Sequence, residues 1–202
     1  MSYWRVSWVI IFIAVLVWSG INPKDTTTWV LEVLPALIAI VILFWTRERF
    51  PLTTLTYTLI LIHCIILMVG GHYTYAEVPI GDYVGELLGH SRNNYDKLGH
   101  VAQGFIPAIV TREIVIRLGV FRSQAWMSFF VVAMCLGISA FYELIEWWVA
   151  LLSEEAADAF LGTQGYVWDT QSDMGWALFG AVMALITLSA VHDKQLRSKL
   201  RQ

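Results

Sequence analysis

The chain has 202 residues, of which 57% are hydrophobic and only 14% are charged, and its formal net charge is −3. Ordinary soluble domains have roughly a quarter of their residues charged, so this composition excludes a water-soluble globule, a disordered chain and a small disulfide-built scaffold. Because there is no overall positive charge, we expect no nucleic-acid partner. The class that remains is a polytopic membrane protein whose partners are membrane lipids.

Six apolar runs are long enough to cross a hydrocarbon layer about 30 Å thick. They lack the alternation of period two that membrane strands require, which excludes an outer-membrane barrel. The sequence therefore predicts an all-α membrane protein, a single domain built as a bundle of six transmembrane helices. In chain order, the predicted spans are 7–21, 28–45, 52–70, 98–116, 125–152 and 173–191.

The distribution of Lys and Arg predicts the orientation of these helices. With the N-terminus in the cytoplasm, all but three of the 13 basic residues lie at cytoplasmic ends of the predicted spans, the exceptions being Lys24, Arg92 and Lys97. Basic residues concentrate on the cytoplasmic side of membrane proteins. Both termini are therefore predicted to be cytoplasmic, and the two long connections, 71–96 and 153–170, are predicted to lie outside.

Three predicted spans each bring a pair of ionisable side chains to the outer end of the bundle. An unpaired charge inside a membrane costs roughly 2.5–3.5 kcal/mol on insertion scales, so these groups must face protein or water. A spacing of three or four residues puts both members of a pair on one helix face. The pairs are Asp96 and His100, Glu143 and Glu146, and Asp169 and Asp173, with Glu32 near the outer start of the second span as a further candidate.

Carboxylates with one imidazole and no thiolate suit a hard or borderline divalent cation, namely Mg²⁺, Mn²⁺ or Zn²⁺. Such a cation, or two glutamates that share a low-dielectric site, can activate water for hydrolysis. The sequence thus predicts a hydrolase-type site with Glu143, Glu146 and His100 as catalytic residues. The predicted ligands of a divalent metal ion, the only cofactor expected, are Asp96, His100, Glu146, Asp169 and Asp173.

A purely structural interpretation competes with this one. Asp96 and Asp173 stand where acids cap helix N-termini, and a lone histidine inside a span more often bridges two helices through a hydrogen bond. Glu143 and Glu146 lie near the C-terminus of their span, where the helix dipole disfavours anions, so capping does not explain them. The functional interpretation therefore depends on this pair and on the convergence of the other residues.

Three sequence blocks resemble YjdF-like bacterial inner membrane proteins and together cover most of the chain. They run over 92–105, 142–147 and 158–174 and contain the three ionisable pairs. This resemblance implies an inner-membrane location and no particular reaction. A more distant resemblance to VanZ-like membrane proteins rests on Asp96-Lys97-x-x-His100 and on the acids of the next two spans. It departs at Ala177, where an amide is expected, and implies an association with the cell envelope.

Three functions stay open at this point. The first is a membrane-embedded, metal-dependent hydrolase acting from the outer face on a lipid or lipid-linked envelope component. The second is a proton-coupled transporter, which needs a pathway to both faces, whereas the inner halves carry few ionisable groups beyond Arg112 and Glu113. The third is a non-catalytic envelope or assembly factor whose polar side chains hold three helices together and bind a structural ion.

Overall fold

The computed structural model describes residues 3–87, 89, 92–152 and 164–200, and its regular elements in these ranges are all helices. The all-α prediction is therefore confirmed for the described residues. Most of the predicted connection 153–170 lies outside them. The elements are α1 Tyr3–Ser19, α2 Thr26–Thr46, α3 Thr54–Tyr73, a 3₁₀ turn Tyr75–Glu77, α4 Pro79–Leu87, α5 Tyr95–Arg117, α6 Gln124–Leu152 and α7 Asp169–Leu200.

Four of these helices, α2, α3, α6 and α7, are long and apolar enough to cross a membrane by length and composition. The prediction of a multi-pass membrane protein is thereby supported, while the number of six spans stays a prediction. Helix α1 is apolar but has only 17 residues. Helix α5 has 23 residues and carries acidic and basic side chains along its length. It packs against α3, α6 and α7, so neighbouring helices rather than lipid surround its polar groups.

The last helix differs most from its predicted limits, because α7 begins at Asp169 and continues to Leu200 instead of covering 173–191. At its far end, Gln195 Oε1 accepts the backbone N–H of Leu55 at 2.9 Å, and Lys199 donates to the carbonyl of Leu52 at 2.9 Å. The basic C-terminal segment is therefore a docked part of the helix that holds the start of α3.

Helices α5 and α7 form the closest contact of the bundle through small residues. A Cβ atom on Gly104 would overlap the backbone carbonyl of Ala177, and one on Gly180 would overlap the carbonyl of Val101. Ala177 is completely buried in this contact, so the amide side chain expected there in VanZ-like proteins has no room. Small residues let helix backbones approach closely in membranes. The contact places the first turns of α5 and α7 side by side.

Outside the apolar bundle, the entry into α2 is set by Asp25, whose carboxylate accepts the backbone N–H of Thr28 at 2.6 Å. This N-cap hydrogen bond lowers the pKa of Asp25 below its ordinary value. An N-cap acid satisfies an otherwise unpaired backbone donor and complements the helix dipole. It fixes where α2 starts, which in turn sets the depth of Glu32, two turns further along.

Candidate functional site

Five side chains from three helices meet at one end of the bundle, and we call them the acidic cluster: Asp96 and His100 of α5, Glu143 and Glu146 of α6, and Asp173 of α7. Four of them are buried, with exposed fractions of 3–9%, and Asp96 is partly buried. The end of the bundle that holds them is called the acidic end below. Three helices are thus joined at this end by groups that the sequence singled out.

Asp173 lies in the second turn of α7, because the helix begins at Asp169. Its position therefore differs from that of a helix cap, which the structural interpretation assigned to it. Its Oδ1 atom is buried and has no hydrogen-bond partner within the described part of the chain. Asp96 does lie in the first turn of α5, but its carboxylate turns towards His100. Capping explains neither residue fully.

His100 is the centre of the acidic cluster. The side-chain oxygen of Gln103 lies 3.1 Å from its Nδ1 atom, so the hydrogen on Nδ1 is donated to Gln103. The Nε2 atom then faces Oδ1 of Asp96 at 3.4 Å and Oε1 of Glu143 at 3.7 Å. A histidine that ligates a metal characteristically donates its other ring N–H to an oxygen in this way.

The donor atoms of the acidic cluster form two overlapping groups. Asp96, His100 and Asp173 form one, and His100, Glu143 and Glu146 form the other, with ligand atoms within 4.8 Å of one another in each. Adjacent ligands of a tetrahedral metal ion, with bonds of about 2.0–2.1 Å, lie about 3.3 Å apart. Small side-chain rotations therefore bring either group to coordination distance. His100 is the member that both groups share.

Beside the acidic cluster lies a small cavity of about 30 Å³, bounded by Asp96, His100 and Glu146. A single water needs roughly 10–15 Å³ measured in this way, so the cavity has room for one or two water molecules or an ion. Glu32 lies on its wall and accepts a hydrogen bond from the hydroxyl of Tyr142 at 3.0 Å. The additional candidate on α2 therefore joins the site, and Tyr142, which sequence reasoning did not select, positions it.

Asp169 does not join the acidic cluster. It forms an ion pair with Arg92 in the segment before α5 and belongs to neither ligand group. The same segment is held by Asn93, whose backbone N–H and carbonyl bond both side-chain atoms of Gln164 at 3.1 and 2.9 Å. Asp169 and Gln164 thus tie the start of α7 to the start of α5. Among the predicted metal ligands, Asp169 is the one whose carboxylate forms an ion pair with an arginine, Arg92.

Residues 4–194 match the model of a family described as "Predicted membrane protein (DUF2238)". The chain belongs to this family. It is also 54% identical over 183 residues to a protein of Escherichia coli (strain K12) called "Inner membrane protein YjdF", covering 91% of this chain and 88% of that protein. No solved structure matches significantly. The YjdF-like resemblance is confirmed, the relationship supports a multi-pass location in the inner membrane, and the VanZ-like resemblance stays a prediction.

This family member contains a second polar cluster at the opposite end of the bundle, and we call it the basic-end cluster: Arg112 and Glu113 of α5 with His192 and Asp193 of α7. Arg112 donates to Nδ1 of His192 at 3.0 Å and to Asp193 at 2.6 Å. His192 therefore carries its hydrogen on Nε2 and donates it to Glu113 at 3.2 Å. Sequence reasoning found Arg112 and Glu113 and missed both partners.

The two clusters differ in how completely their carboxylates are hydrogen-bonded. Glu113 is fully buried and accepts from the N–H and hydroxyl of Thr53, the hydroxyl of Thr56, Arg117 and His192, at 2.6–3.3 Å. In the acidic cluster, Oε1 of Glu143 and Oδ1 of Asp173 lack such partners among the described residues. Buried polar atoms are nearly always hydrogen-bonded to protein or ordered water, so carboxylate oxygens without a protein partner mark a place for a water, an ion or a reacting group. The acidic cluster is therefore the candidate functional site.

Proposed function

We propose that the acidic cluster binds one divalent cation and hydrolyses an ester bond in a lipid or lipid-linked envelope component at the outer face of the inner membrane. The observation that carries this proposal is the arrangement around Nε2 of His100. Two carboxylate oxygens face this atom at 3.4 and 3.7 Å, while Gln103 takes the hydrogen on the other ring nitrogen. A neutral ring nitrogen and two carboxylate oxygens that converge in this way repel one another unless a cation or a proton lies between them.

The donor set favours a metal ion over a single proton as that positive charge. One proton on His100 serves one neighbouring oxygen, whereas the unpartnered atoms belong to two further helices, on Glu143 and Asp173. Oxygen ligands with one imidazole suit Mg²⁺, Mn²⁺ or Zn²⁺. A cation of this kind, when bound, lowers the pKa of a coordinated water and polarises an ester oxygen.

The residues of this chain then have separate tasks in the hydrolysis. Asp96, His100, Glu146 and Asp173 hold the cation, and the small cavity beside them admits the attacking water. Glu143 accepts a proton from this water as its oxygen bonds to the acyl or phosphoryl centre. The bond from that centre to the leaving oxygen breaks, and Glu143 returns the proton to the leaving oxygen. Positioned general bases of this type contribute about 10²–10⁴-fold to the rate.

A transporter is less well supported by the geometry. A carrier needs polar access from both faces, but the basic-end cluster is closed by hydrogen bonds between α5, α7 and the start of α3. The proposed hydrolase needs access from one face only. A purely structural role for the acidic cluster, with or without a structural ion, is the other alternative. It predicts that Glu143→Gln lowers the melting temperature and that no hydrolysis product is released.

The orientation belongs to this proposal: six helices cross the membrane, both termini are cytoplasmic, and the acidic end faces outwards. The bias of basic residues supports it. We expect Tyr83→Cys, in the exposed helix α4 at the acidic end, to react in intact cells with a membrane-impermeant maleimide. Arg49→Cys, at the other end, should react only after permeabilisation. Both native cysteines are buried, which keeps background low. The reverse labelling pattern would contradict the orientation.

The cation itself is tested on protein purified without chelator and analysed for Zn, Mn and Mg. We expect about one divalent ion per chain, and release of fatty acid or headgroup product from phosphatidylethanolamine/phosphatidylglycerol vesicles that stops with EDTA. Glu143→Gln should retain the ion and lose turnover by at least 100-fold, as expected for a general base. Folded protein with no bound ion and no chelator-sensitive product would refute the proposal.

A further inference from the structure

A second, much larger cavity lies between α2, α3 and α5, with a volume of about 530 Å³. Small side chains form the first part of its wall on α2, where Pro35, Ala36 and Ala39 line it. The lining extends along α2 from Pro35 to Thr46, which is about 16 Å at 1.5 Å per helical residue. Its size falls within the range of roughly 300–1,000 Å³ that is typical of ligand pockets.

The cavity is apolar and opens towards the surface of the bundle. Ile42 and Leu118 line it, yet they are 54% and 63% exposed, so its wall continues into the lipid-facing surface. Apolar cavities do not retain water, because water there finds no hydrogen-bond partners. Inside a membrane, the material that fills such a space from the side is hydrocarbon.

The large cavity is adjacent to the small one beside the acidic cluster. His63 and Leu67 of α3 line both. An apolar chain that lies along α2 in the large cavity therefore has one end next to the small cavity. Only His63 and Leu67 separate this end from Asp96, His100 and Glu146. A molecule that fits both cavities must therefore have a hydrocarbon part, which lies in the large cavity, joined to a polar ester, which lies next to the acidic cluster.

We propose that the large cavity binds one acyl chain of a membrane phospholipid and so presents its ester to the acidic cluster. The inference rests on the proposed function for the role of the ester, whereas binding of the chain depends on the cavity alone. Each buried CH₂ group contributes about 0.8 kcal/mol in transfer from water, but here bilayer hydrocarbon is the competitor, so shape rather than hydrophobicity selects the ligand. The imidazole of His63, which lines both cavities, lies where the acyl chain meets its ester.

The test uses a phospholipid with a diazirine near the end of one acyl chain, reconstituted with the full-length protein in phosphatidylethanolamine/phosphatidylglycerol vesicles. After irradiation, we expect labelled peptides to include the lining segment of α3 around His63 and Cys64. Ala39→Phe fills the cavity and should lower this labelling at least fivefold. Val41→Phe, on the exposed face of the same helix, is the matched control and should keep it within twofold.

Thr111→Phe fills the cavity from the opposite wall on α5 and replaces Ala39→Phe if that variant fails to fold. Labelling that is confined to exposed residues, or that Phe at both filling positions leaves unchanged, would overturn the inference, because it would show surface lipid only. If the α3 segment around His63 and Cys64 is labelled in Glu146→Gln as strongly as in the wild type, the acyl site is independent of the cation and the inference is supported. A bound cation without this labelling would overturn the inference and leave the proposed function intact.

Discussion

Replacing His100 by alanine is expected to lower the affinity for the divalent cation by at least about 100-fold, because His100 belongs to both candidate ligand groups. Substitution of residues that merely orient a metal ligand already costs about 10–100-fold, and a shared ligand costs no less. The variant also leaves Asp96 and Glu143 without the imidazole that lies 3.4 and 3.7 Å away. Competition titration with a fluorescent chelator measures the loss.

His72→Gln is the matched control for His100→Ala. His72 lies at the same end of the bundle, contacts Ser19 and Trp18, and belongs to neither ligand group. We expect its cation affinity to stay within about twofold of the wild type. Equal losses in both variants would point to a general loosening of the acidic end, and an unchanged affinity in His100→Ala would contradict the assignment of the ligands.

Glu113→Ala is expected to destabilise the folded protein by about 3–5 kcal/mol, which is typical of removing one partner from a buried ionic network. Glu113 is fully buried, and its removal leaves the hydroxyls of Thr53 and Thr56 and the ring N–H of His192 without their acceptor. Glu113 also accepts a hydrogen bond from Arg117, so the guanidinium group of Arg117 loses its buried carboxylate partner as well. Equilibrium unfolding in mixed micelles with increasing dodecyl sulfate measures the change in free energy.

Asp193→Asn provides the comparison for Glu113→Ala within the basic-end cluster. The side chain of Asp193 is 41% exposed, whereas its partner Arg112 is buried. The amide oxygen of asparagine can still accept a hydrogen bond from Arg112, so we expect a smaller loss than for Glu113→Ala. A loss below 1 kcal/mol for Glu113→Ala would show that the basic-end cluster is not a structural lock. The folded fraction of Glu113→Ala should still bind the cation, which separates the stabilising cluster from the functional one.

The membrane class and the members of the acidic cluster were predictable from the sequence for a common reason. Charged groups inside apolar helices are costly, so a few such groups stand out against the background. The spacing of Glu143 and Glu146 predicted one shared face, and both are buried together beside His100. Helical periodicity depends only on residues close together in the chain, so the face predicted from the sequence is also the face found in the folded protein.

Other features depend on contacts between residues far apart in the chain. His192 contacts Glu113, 79 residues away in the chain, and Arg92 pairs with Asp169, 77 residues away. Gln103, which orients His100, resembles any polar residue on the helix until the ring position is known. The sequence contained a usable signal for His192, since an imidazole next to an acid, Asp193, follows directly on an apolar run.

By itself, the sequence determined a helical membrane protein in which Asp96, His100, Glu143, Glu146 and Asp173 gather at one end, because hydropathy and helix periodicity act along the chain. Only the tertiary structure decided which carboxylates keep free oxygens and which are saturated. The close approach of α5 to α7 at Gly104 and Ala177 aligns Asp173 with His100 at one end and His192 with Glu113 at the other. Hydrogen-bond partners and cavities are created by packing, and packing is a property of helix pairs rather than of any one segment.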